Sequence, residues 1–139
     1  MAHDLRALPE AYLDFWREPH LSTLTTLRPD GTPHVVPVGV TFDPATLTAR
    51  IITSGDSRKA VNVAAAGAAG LPVAVCQLQG RHWATLEGTA RLRTSPEAVA
   101  DAEDRYAERY GHPPRPNPKR VVLELTVTRA LGNVGRPAA

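Results

Sequence analysis

A mainly-β domain is what this sequence predicts: six strands, mostly antiparallel, curling into a small barrel with flanking helices. Three observations predict it. Apolar and polar residues alternate with period two through Ala84–Leu92 and Val121–Val127; turn chemistry stands between apolar runs at Pro29-Asp30-Gly31 and Gln79-Gly80; and helical spacing is confined to three segments.

Leu5, Leu8, Tyr12 and Phe15 make one helical stripe, and Pro9 places the helix start at Leu8 or Pro9. Leu21–Leu27 then favours a strand. In the next predicted strand His34, Val36, Val38, Val40 and Phe42 share one face, and Val35, Pro37, Gly39 and Thr41 the other. Pro37 lacks a ladder donor and Gly39 admits a close neighbour, so this second face borders a ligand or marks a kinked edge. Leu47–Thr53 is the return strand. A short helix runs to about Ala66, and Gly67 and Gly70 break it.

Leu71–Leu78 reads as a buried strand. After it, Ala84, Leu86, Ala90 and Leu92 face inward, opposite Trp83, Thr85, Glu87, Thr89 and Arg91. Gly88 permits bending or close packing. Thr94 and Glu97 have capping-box spacing, opening a helix with Val99, Ala102, Tyr106 and Tyr110 inward and ending at Gly111. Its outer face, Arg105 and Arg109 included, reads as solvated charge. The proline-rich run His112–Pro118 is stiff and extended and delivers the last strand; residues past Leu131 read as a loose tail.

The 139 residues, 42% hydrophobic, suffice for one domain over 1–139 with its core at about 10–132. A sizeable ligand must then sit on a face of that domain or between subunits. A net charge of +2 does not argue for nucleic acid. The single cysteine, Cys76, excludes an intrachain disulfide and reads as a buried small hydrophobe. No apolar stretch is long enough to span a bilayer, and a cytoplasmic protein is expected. The five histidines, at positions 3, 20, 34, 82 and 112, show no short metal-ligand spacing, so no metal is expected.

The chemistry concentrates at Ile51–Asn62. An apolar run enters a Gly-containing turn, and Ser57-Arg58-Lys59 then opens the short helix. Unpaired amides, a hydroxyl and two cations at one spot suit an anion, above all a phosphate. A capped helix with two solvated basic side chains is the alternative. Glu87 stands alone, Asp56 is accounted for by capping, and His34 reads as a core or rim residue before a general base, so no catalytic residue is assigned. Arg81-His82-Trp83 forms a second cluster, suited to a conjugated anionic ligand or simply a strand rim.

The segments HLSTLTTLRPDGTPHVVPVGVTFDP, ARIITSGDSRKAVNV, RHWATLEGTARL and RYGHPPRPNPKRVVLEL, within positions 10 to 132, resemble the pyridoxamine 5′-phosphate oxidase-like superfamily. This is the FMN-binding split β-barrel, and the likeness is to its branch that uses the deazaflavin F420. The resemblance implies a phosphate bound by Lys59, with Ser57 and Arg58 beside it, Asn62 one helical turn on, and Thr53 and Ser54 flanking. It implies that Pro37, Val38 and Gly39 run along the deazaflavin ring. It also implies a homodimer with two sites between subunits, placing Trp83 near the partner or the cleft.

The implied activity is hydride transfer from reduced F420 to a conjugated small molecule, biliverdin to bilirubin first. The alternatives are another conjugated acceptor such as an unsaturated lactone or quinone, an FMN-dependent oxidase, and a non-catalytic carrier of F420 or tetrapyrrole. Arg50, Arg58 and Arg81 would meet the cofactor's anionic tail or remain solvated.

Overall fold

The structure, a computed structural model, describes residues 2–135. Its elements are α1 (Glu10–Arg17), β1 (Ser22–Leu27), β2 (Pro33–Val38), β3 (Thr41–Asp43), β4 (Thr48–Ser54), α2 (Arg58–Ala66), a 3-10 turn (Gly67–Ala69), β5 (Leu71–Gln79), β6 (His82–Arg93), α3 (Pro96–Tyr110) and β7 (Arg120–Gly132). The seven strands form one sheet in the order β2-β1-β5-β6-β7-β4-β3, every pair antiparallel.

The strand predicted as continuous from His34 to Phe42 is two, which makes seven strands rather than six. The period-two pattern runs on through Phe42, but the chain turns a corner at Gly39-Val40. The two pieces lie at opposite edges of the sheet although two residues separate them. That is possible only if the sheet curls round until its edges meet, so the corner is the seam of the barrel. At the following turn Leu47 adopts φ 53°, and the return strand starts one residue later than predicted.

Inside are Leu24, Val40, Ile51, Val75, Leu86, Leu123 and Leu125, all nearly or fully buried. Gly88 marks a register shift between β6 and β7. A Cβ there would fall 2.0 Å from the Thr126 carbonyl oxygen, so close strand approach is what requires the glycine. At the Ser22 end of β1, α1 inserts Tyr12, Phe15 and Trp16. The Tyr12 hydroxyl donates to the carbonyls of Leu131 (2.9 Å) and Thr85 (3.2 Å), and burial pushes its pKa up to about 12. At the Leu27 end, α2 buries Ala60, Asn62 and Val63.

Helix α3 is capped by Ser95, whose Oγ accepts from the Ala98 amide, and not by Thr94; Pro96 occupies the first turn and Gly111 ends the helix in the left-handed region as predicted. Arg109 departs from the expected solvated face. It is 9% exposed, and its guanidinium donates to the carbonyls of Glu18 and Val40 and to Gln77 Oε1. Cys76 is likewise corrected: it stands half-buried on the outer face of β5, while Val73, Val75 and Gln77 fill the inside. Past Leu131, Asn133 is anchored to Arg81 and Trp83; positions 136–139 of the expected tail lie outside the described residues. No helix among the described residues is long and apolar enough to cross a membrane.

Candidate functional site

Strand β4 pairs with β7 up to Ser54↔Arg120, and there the chain leaves the sheet through Gly55-Asp56 and enters α2. The turn is tied at several points. The Gly55 amide donates to the Lys119 carbonyl (2.8 Å), the Ser57 amide to Ser54 O (3.1 Å), and Ser57 Oγ accepts from the Ala60 amide as N-cap. Ser57 Oγ also donates to Ser54 O and shares a hydrogen bond with Thr53 Oγ1, while Ser54 Oγ accepts from Asn117 Nδ2. Three predicted hydroxyls therefore already shape the turn.

The two cations do not. Among the described residues, neither Lys59 nor Arg58 has a hydrogen-bonding or ionic partner, whereas neighbouring Asp56 pairs with Lys119 at 3.2 Å. Their own amides, in the first turn of α2, also lack intrahelical partners. Lys59 is half-buried rather than an exposed side chain, and desolvation lowers its pKa. A desolvated ammonium without a counter-charge among the described residues, beside free amides, is an arrangement suited to binding an anion.

Lys59 stands on a cleft of about 540 Å³. Pro37, Val38 and Gly39 form one wall, with Ile52 and Thr53 next to them. The lining also includes Tyr106, whose ring lies close to Gly39, the extended segment from His112 to Arg115, and Asn117 and Arg120. Among the described residues no carboxylate lines it. Thus Lys59, Thr53, Pro37, Val38 and Gly39 line one cleft, with Ser57, Ser54 and Arg58 at the adjoining turn.

Asn62 turns elsewhere: it is 2% exposed, and its Nδ2 donates to Thr26 Oγ1 (3.0 Å), with Oδ1 buried and without a partner. Trp83 lies at the far end of β6 on the β5–β6 hairpin, cross-strand from Leu78. It does not line the cleft within one chain. Arg81 is on that hairpin too, and Arg50 leans on Asp101 at 3.6 Å, leaving Arg58 as the one of these three arginines at the turn. Glu87 is not isolated, since Arg129 approaches it at 3.9 Å.

Gly39 has a second role. A Cβ there would lie 3.0 Å from a Tyr106 ring carbon and 3.3 Å from one of Tyr110, so the close neighbour inferred for this glycine is the tyrosine pair of α3. Tyr110 in turn accepts from the Val40 amide and donates to His20 O. Gly39→Ala is expected to cost about 1–2 kcal/mol by overpacking, read from urea unfolding. Unchanged stability would show that the tyrosines yield freely.

His34 faces inward on β2, its Nδ1 buried without a partner. Burial, then the charges of Arg28, Lys59 and Arg58, hold its pKa below the usual histidine value, so the ring is neutral at pH 7. The cleft residues missed from sequence are Tyr106, His112, Arg115, Asn117 and Arg120. The proline run signalled an extended connector, and nothing local revealed what it would face. Among the described residues no group of three or more His, Cys, Asp or Glu is placed to hold a metal ion.

Residues 8–133 match the family described as Pyridoxamine 5'-phosphate oxidase. The chain is 50% identical over 133 residues, 96% of its length and 93% of the relative's, to the F420H(2)-dependent biliverdin reductase of Mycobacterium tuberculosis (strain CDC 1551 / Oshkosh). Among solved structures it is similar to a protein described as F420 Reductase, with TM-score 0.70 and 22% identity over 89% of this chain and 98% of that one. It is also similar to the conserved hypothetical protein Rv2991 from Mycobacterium tuberculosis, with TM-score 0.75 and 25% identity over 94% and 87% of the two chains.

Proposed function

We propose that this chain, which belongs to the pyridoxamine 5′-phosphate oxidase family, is an F420-dependent oxidoreductase that reduces biliverdin to bilirubin. The observation that carries the reading is the cleft beside α2, where, among the described residues, no carboxylate lines the walls and Lys59 and Arg58 have no partner. A cofactor with a phosphate supplies what those cations lack. The whole-length likeness to a relative named for F420H(2) and biliverdin supports this choice of cofactor and substrate.

When bound, reduced F420 supplies a hydride from its deazaflavin ring, and the acceptor is the central methine carbon of the tetrapyrrole. The chain contributes position and environment. Lys59, Arg58 and the first amides of α2 hold the phosphate, with Ser57, Thr53 and Ser54 fixing the turn. Asn62 supports it from behind through Thr26. Pro37, Val38 and Gly39 border the ring, and the apolar side chains of Val38 and Ile52 keep water from it. His34 is not among the residues lining the cleft, and we assign the proton that accompanies the hydride to solvent.

The active form we propose is a homodimer. Of six large apolar side chains exposed among the described residues, five (Leu21, Leu27, Val35, Leu78 and Trp83) stand on the outer face of β2-β1-β5-β6. Pro37 lies on that same face, so a second copy seated there would border the cleft and bring Trp83 toward it. The free thiol of Cys76 fits a reducing, cytoplasmic setting.

The test mixes purified protein, reduced F420 and biliverdin, and follows bilirubin absorbance together with the returning fluorescence of oxidised F420. Both are expected to rise in step. Reduced F420 that binds yet is never oxidised would leave a carrier. Turnover only with a lactone or quinone would move the substrate, and a yellow protein that holds FMN and ignores F420 would make it an FMN oxidase.

A further inference from the structure

The segment joining α3 to β7 is a strap across the cleft, without helix or strand, and it is held rigid. Pro113, Pro114, Pro116 and Pro118 fix its backbone angles. Asn117 ties it down by donating from Nδ2 to Ser54 Oγ (2.8 Å) and accepting at Oδ1 from the Lys119 amide (2.9 Å). Arg120 spends its guanidinium on Glu103 and on the Arg115 carbonyl oxygen.

Arg115 is thus held by its own carbonyl; it is an exposed residue of the cleft lining, and its side chain has no partner among the described residues. Lys59 lines the same cleft and is likewise without a partner among the described residues. Two cations thus border one cavity that no described carboxylate lines, one a point charge suited to phosphate and the other a planar fork suited to carboxylate.

The geometry points to Arg115 as a carboxylate-binding residue of this cleft, engaging a second anionic group on a ligand whose first is anchored at Lys59. This rests on the F420 reading above. Two ligands carry such a group: F420 itself, in the glutamyl residues beyond its phosphate, and the tetrapyrrole, in its propionates. The strap's fixed backbone means that binding need order only the arginine side chain. The strap is therefore a specificity element as well as a connector.

The experiment compares the parent with Arg115→Gln and Arg115→Lys in two arms. In the first, fluorescence titration measures affinity for F420 with its glutamyl residues and for F420 lacking them. In the second, KM is measured for biliverdin and for its dimethyl ester. Arg115→Gln is expected to erase a preference of roughly tenfold for the carboxylate-bearing ligand in one arm, with Arg115→Lys between it and the parent. The arm that responds identifies the source. A parent that binds F420 while Arg115→Gln changes neither preference overturns the assignment to Arg115. A parent that binds no F420 at all overturns the cofactor reading, and the assignment with it.

Discussion

Arg109→Met is expected to lower the free energy of unfolding by about 2–4 kcal/mol, a large share of the roughly 5–15 kcal/mol available to a small domain. The reason lies in what the guanidinium serves. Its Nη1 donates to Val40 O (2.5 Å), Nε and Nη2 to Glu18 O (3.0 and 2.8 Å), and Nη2 also to Gln77 Oε1 (2.9 Å). Gln77 passes the connection on by donating from Nε2 to Phe15 O (2.7 Å). One side chain of α3 therefore joins the end of α1, the barrel corner and β5.

Methionine keeps the aliphatic stem and removes all four bonds, leaving the Glu18 carbonyl without its guanidinium donors and Val40 O and Gln77 Oε1 with only the longer bonds from Tyr110 (3.3 Å) and Ser22 (3.4 Å). The cation lies 5.7 Å from the Trp16 ring centroid and 5.2 Å from that of Tyr110, contacts that also vanish. No carboxylate pairs with Arg109 among the described residues, so the loss should hardly change with ionic strength. Urea unfolding at low and high salt measures both statements. A loss under about 1 kcal/mol would mean that the guanidinium behaves as a solvated group.

The second large effect falls on binding. Lys59→Ala is expected to raise the Kd for F420 roughly 10- to 100-fold, the order of one charge-assisted hydrogen bond to phosphate. The fold should persist, because the ammonium has no partner to leave stranded and its burial already disfavours the charge. Parent affinity should also depend on pH in a definite direction. Phosphate binds the protonated lysine, so affinity is full below the pKa of the free protein's Lys59 and declines as pH rises through it. Since burial has lowered that pKa, the decline begins below the ordinary lysine range near ~10.4. Lys59→Arg should remain flat over the same range. Titration by F420 fluorescence from neutral to alkaline pH reads both, and an unchanged Kd in Lys59→Ala would remove Lys59 from the site.

The strands of this protein were legible where one face is buried, as at Ala84, Leu86 and Ala90, because a period of two then has a single meaning. The turn into α2 was legible because serine, cations and an alanine-rich helix are local signals. The corner at Gly39-Val40 was not: hydrophobic alternation continues through it, and what bends the chain there is Tyr110 and Arg109, about seventy residues away. Arg109 misled for the same reason. Its neighbours in sequence are charged and exposed, and its acceptors come from α1, β5 and the seam. Lys59, Thr53 and Pro37–Gly39 do gather at one cleft, yet Asn62 turns inward and Trp83 stays at the far hairpin, placements set by the sheet as a whole.

The position of β7 in the sheet also bears on how the protein is made. Made last, it lies between β6 and β4 and is the one strand that joins β2-β1-β5-β6 to β4-β3. Until it leaves the ribosome, a nascent chain carries two half-sheets with bare inner edges and no ladder between them. Pairings so distant in sequence slow folding toward the millisecond-to-second range, and the waiting edges are where such a chain would meet chaperones or other unfinished copies of itself.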